Sequence, residues 1–76
     1  MTGAARLEVE VIYQTTRGRQ HCIRETEDGR DIWIPVSETE ITRRRAPRLF
    51  DTSLPARGEI ITVAAPEWLL MEKGLI

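Results

Sequence analysis

His21 and Cys22 stand side by side, and together they supply the residue types of a nucleophile–base pair or of a metal site. Both kinds of chemistry need the two side chains to converge. They fall in Gln20-His21-Cys22-Ile23-Arg24-Glu25, which reads as a strand, and neighbours on a strand point to opposite faces. The chain has one histidine and one cysteine, so it holds no Cys-x-x-Cys pair and no zinc set. The expectation is a surface histidine beside a small buried thiol, with no catalytic residue and no metal ligand. The carboxylates are scattered over turns and strand faces. The glycines are isolated at Gly3, Gly18, Gly29, Gly58 and Gly74, where turns and caps need them, so no phosphate-cradling loop exists. No enzyme and no cofactor is expected.

Binding is better served. Arg43-Arg44-Arg45, with Arg48 close behind, is the sharpest charged feature. Such a run can engage a phosphate backbone or an acidic protein face, or simply be a solvated loop. Trp33 is the second candidate. It lies between Ile32 and Ile34 in a short strand that begins at a turn and stops at Pro35, so the isoleucines face one way and Trp33 the other. A tryptophan opposite core-facing residues is a docking surface, unless both sheet faces are covered. Trp33 with Tyr13 would form a base-stacking platform, but Tyr13 lies on the apolar side of its strand. Packing or a protein interface is the favoured reading, because tryptophan is enriched at both. The candidate binding residues are therefore Trp33, Arg43, Arg44, Arg45 and Arg48.

Composition bounds what can carry them. A chain of 76 residues is one domain with a marginal core, and marginal domains often gain stability by self-association, so a homodimer is a live expectation. Net charge is −1, which gives no global drive toward nucleic acid or membrane. The charge is polarised: Ile41 to Gly58 carries Arg43, Arg44, Arg45, Arg48 and Arg57 against Asp51 alone. One cysteine excludes an intramolecular disulfide. The N-terminus lacks the apolar run of a signal peptide, and no stretch reaches transmembrane length. The expectation is a cytoplasmic protein.

Along the chain, residues 1–6 read as a frayed end. Leu7 to Gln14 alternates, with Leu7, Val9, Val11 and Tyr13 on one face, as a half-buried antiparallel strand does. Thr16-Arg17-Gly18-Arg19 is a turn into the His21 strand, and Asp28-Gly29 is a hairpin signal into the Trp33 strand. Ser37-Glu38-Thr39-Glu40 matches a capping box, leaving a helical turn or a short strand at Ile41-Thr42 open. Residues 46–58 read as a long loop, with Leu49, Phe50 and Leu54 as anchors onto the core. Glu59 to Ala65 is the last strand, apolar on both faces. The final helix starts at Pro66, buries Trp68 and is mostly packed down, with Gly74 as a left-handed cap and Leu75 touching Leu70.

Two stretches carry a resemblance: Asp31-Ile32-Trp33-Ile34-Pro35-Val36-Ser37, and Glu67-Trp68-Leu69-Leu70-Met71-Glu72-Lys73-Gly74-Leu75-Ile76. Together they resemble a group of small proteins of bacteriophages, prophages and other mobile elements, which share a Trp-Ile-Pro-x-Ser strand and a closing Glu-Trp-Leu…Lys-Gly-Leu helix. The resemblance covers less than half the chain and implies a small β-sheet domain with a C-terminal helix and no catalytic residues. The segment from Arg43 to Arg57 lies outside it and looks like a local insertion. The fold expected is mainly β (α+β): a curled antiparallel sheet, or small barrel, of four to five strands with one short C-terminal helix. The function expected is docking on a host protein complex as an inhibitor of the anti-CRISPR type. The alternative is a small barrel that binds single-stranded nucleic acid.

Overall fold

Alternation of apolar and charged residues from Leu7 onward builds the strand on which everything else is hung. The computed structural model describes residues 6–44 and 54–76. In chain order the elements are β1 (Arg6–Arg17), β2 (Gln20–Arg24), β3 (Ile32–Pro35), one 3₁₀ turn (Val36–Glu38), β4 (Glu40–Arg43), β5 (Ile60–Pro66) and α1 (Glu67–Glu72). The strands form one antiparallel sheet in the order β3-β2-β1-β5-β4. The sheet is curled and does not close, so the fold class expected is present in its open form.

β1 is shared between two halves. Its residues Arg6 to Ile12 pair with β5, and Ile12 to Arg17 pair with β2. The register against β2 shifts between Tyr13 and Thr15, which leaves Gln14 as the extra residue of a bulge. The shift lets both Tyr13 and Thr16 face inward, although three positions separate them and a regular strand would send them to opposite sides.

One face of the sheet is the core. Val11, Ile23, Ile34, Ile61, Val63 and Leu70 are fully buried, and α1 sets Leu69 and Leu70 into the same cluster. Each such side chain contributes about 1.5–3 kcal/mol of transfer free energy. The other face has no layer over it among the described residues.

Several expectations are corrected. Arg6 is not frayed: it opens β1 and its guanidinium donates to Ala64 O at 3.2 Å. Asp28-Gly29 does lie in the connection of the antiparallel β2–β3 pair, where the Gly29 N–H bonds Thr26 O at 2.9 Å. Ser37 caps nothing: the 3₁₀ turn has no side-chain cap, and Thr39 Oγ1 donates to Pro35 O instead. Both open alternatives occur there, a 3₁₀ turn followed by β4. Pro66 is the N-cap residue rather than the first helical one. Leu54 is exposed and anchors nothing, while Leu49 and Phe50 lie outside the described residues, as does most of the expected 46–58 loop.

The largest correction is Trp68, which is 52% exposed, with Met71 at 60%. In so short a helix Leu69 and Leu70 take the whole inward stripe. Trp68 and Met71, three apart, therefore share the outward side. Gly74 does take the left-handed conformation, at φ 75°. The Leu75 N–H bonds Leu70 O at 2.8 Å and the Gly74 N–H bonds Met71 O at 3.1 Å, the two bonds of a Schellman cap. No helix among the described residues is long and apolar enough to cross a membrane.

Candidate functional site

The register fixes what shares the uncovered face. Cys22 pairs with both Trp33 and Thr15, so these three line up across β3, β2 and β1, opposite Ile32, Ile34 and the core. Trp33 is half-buried there. Around it, Gln14, Thr15, Arg17, Cys22, Arg24, Asp31 and Arg57 line a shallow pocket of about 320 Å³. The bulge at Gln14 brings this residue and Thr15 onto the same rim.

Three guanidinium groups stand at this pocket, on Arg17, Arg24 and Arg57. The Arg24 Nε donates to Asp31 Oδ1 at 2.7 Å, and its Nη1 donates to Glu27 O at 3.1 Å. That hydrogen bond holds the Asp31 carboxyl below its ordinary value. The Arg57 Nε donates to Gln14 Oε1 at 3.4 Å. Burial pushes the Cys22 thiol up, and the Asp31 charge beside it adds to the effect.

His21 points the other way, as expected, but it is buried rather than a surface residue. Its place opposite Ile34 and Thr16 faces the core, and the ring is accommodated by polar neighbours. Thr16 Oγ1 lies 2.6 Å from His21 Nδ1 and 2.6 Å from the Tyr13 hydroxyl. Desolvation lowers the His21 pKa. Tyr13 is buried in this chain on the core side, so it cannot form a stacking platform with Trp33.

The arginine candidates separate. Arg43 faces the core side of β4, and its Nε and Nη2 donate to Glu59 Oε2 and Oε1 at 2.7 and 2.8 Å. This bidentate pair is four-fifths or more buried at both side chains and ties β4 to the approach of β5. Arg43 is therefore structural. Arg44 is exposed, beside Gly58, Glu59 and Ile60 in a second hollow. Arg45 and Arg48 lie outside the described residues. Sequence reasoning missed Arg17, Arg24 and Arg57, which reach the Trp33 pocket from three separate segments. The alternation of β2 could have placed Arg24 on the Trp33 side; nothing local marks Arg57.

The opposite end of the same face is acidic. Glu8 and Glu10 on β1 and Glu40 on β4 are exposed, around Ala64 and Thr62 of β5. Among the described residues no group of three or more His, Cys, Asp or Glu side chains is arranged to hold a metal ion. The arrangement places an aromatic side chain, cations and anions on one surface. Comparison of the chain with family models, curated proteins and solved structures gives no match.

Proposed function

We propose that this chain is a non-catalytic binding protein that docks on a protein partner through the uncovered face of its sheet, with Trp33 as the anchor. The observation that carries the reading is Trp33 among charged groups on a face that no layer covers among the described residues, opposite the buried Ile32 and Ile34. An aromatic side chain ringed by polar groups that exclude water is the usual anatomy of an interface hot spot. Arg17, Arg44 and Arg57 would steer association, since charges at a rim act mainly on the on-rate. The resemblance to small phage, prophage and mobile-element proteins supplies the setting. In that setting the docking would inhibit a host protein complex in the cytoplasm, in the manner of an anti-CRISPR protein.

The single-stranded nucleic-acid reading draws on the same pocket, where one ring stands among three guanidinium groups. Against it, Glu8, Glu10 and Glu40 would repel a phosphodiester chain extended along the face. Capture from bacterial lysate, with and without nuclease, separates the two. The expected result is a stoichiometric protein complex that survives nuclease and is lost in Trp33→Ala, with faster dissociation. Tight binding to purified single-stranded nucleic acid, falling steeply with salt, would overturn it.

A further inference from the structure

The face that no layer covers among the described residues is divided by charge. Arg17, Arg24 and Arg57 surround Trp33 on the half built from β2, β3 and the C-terminal part of β1. Glu8, Glu10 and Glu40 occupy the half built from β4, β5 and the N-terminal part of β1. The basic half also holds Asp31, bound to Arg24, and the acidic half holds Arg6, bound back to Ala64 O, and at its edge Arg44. At the boundary Ile12 pairs with Ile60, and Ile60 is 42% exposed with Arg44 beside it.

We infer that this face, in the absence of another partner, pairs with the same face of a second copy of the chain about a two-fold axis through the Ile12–Ile60 boundary. The inference rests on the reading of this face as a protein-docking surface and names an occupant for it. A two-fold contact places each residue opposite its counterpart's mirror position, so a surface must be its own complement. Here a rotation about an axis lying between the two faces and running along the boundary sets the basic half of each copy over the acidic half of the other, and keeps the apolar pairs together at the centre. The lever arms match. Glu8 lies four positions from Ile12 and Arg17 five, one of them absorbed by the bulge at Gln14, so each is about 13 Å away at about 3.3 Å per residue.

The area is adequate. Strands spaced about 4.8 Å apart give the face on the order of 500 Å² per copy, near the roughly 1,000 Å² in total that a specific contact needs. Such a contact is weak enough to part when a better-fitting partner is met. It would hide Trp33 until then, so a dimer is the resting form of the docking surface.

The test is a charge exchange. Sedimentation equilibrium of the full chain should show a reversible dimer that weakens as salt is raised toward about 1 M. Glu8→Arg with Glu10→Arg makes the face predominantly basic, and Arg17→Glu with Arg57→Glu makes it predominantly acidic. Each variant alone should associate at least about tenfold more weakly, because like charges now oppose. Mixed in equal amounts, the two should form a heterodimer at least as tight as the native dimer. That recovery excludes misfolding as the cause of the losses. A native protein that stays monomeric at low salt, or variants that dimerise alone as the native chain does, would overturn the inference. If the native chain is monomeric while Trp33→Ala still abolishes capture of a lysate protein, the docking function stands without the dimer. If Trp33→Ala leaves capture unchanged as well, both fall.

Discussion

His21 shows how one buried ring can set the pH response of a small protein. Burial shields its imidazole from water, so the folded state prefers it neutral and its pKa falls below the ordinary value near 6.5. The unfolded chain therefore binds a proton first as pH drops. Stability from this group is complete above about pH 6.5 and is lost as pH falls toward the depressed folded value, below which the loss is constant. Urea denaturation of the native chain and of His21→Gln between about pH 5 and 8 should show a steeper fall in the native chain. Parallel curves would mean that His21 charges freely in the fold. The inward turn of His21 was not legible in the sequence. Alternation put it on the same side as Ile23, but whether a polar ring is buried depends on Thr16 being there to meet it. Thr16 reaches that side only through the bulge. Trp33 was legible, because two flanking isoleucines leave it one direction to point.

At the level of elements, short segments obey local rules while their packing does not follow from them. The end of α1 was readable: Gly74 at φ 75° follows from the need for a left-handed residue after the last turn. A Cβ at this position would also meet Arg30 Nη2 at 3.2 Å, a flexible neighbour that can yield. Gly74→Ala should thus cost about 1 kcal/mol through backbone strain, measured as a lower denaturation midpoint with an unchanged slope. A midpoint equal to that of the native chain would remove the Schellman cap as a stabilising feature. The outward turn of Trp68 was not readable, since four large apolar residues in about one helical turn, Trp68 to Met71, cannot all face a core. Which of them is left outside is decided by where β5 delivers the helix. Arg43 teaches the same lesson. In the sequence it belongs to a basic run, yet the parity of β4 aims it at Glu59 while sending Arg44 the other way.

For the whole molecule the decisive fact is the strand order. β1 has β2 on one side and β5 on the other, and the two halves overlap at Ile12. Amide hydrogen exchange should therefore be slowest at Ile12, Tyr13 and the interior positions of β2 and β5, and fastest on the outward edges of β3 and β4. Equal protection across all strands would show that the two halves open only together. The fold class was legible because four strand-like stretches, a fifth left open at Ile41-Thr42, and one capped helix leave few alternatives. The order was not, since residues 45–53 intervene before β5 and nothing local says on which side it joins. That order also has a consequence for synthesis of the chain. The C-terminal part of β1 meets β2 as soon as the next few residues emerge, whereas its N-terminal part must wait about fifty residues for β5, a few seconds at about 5–20 residues per second. During those seconds Leu7, Val9 and Val11 are a nascent strand with no sheet to join, and the ribosome presents them to whatever chaperone binds apolar segments first.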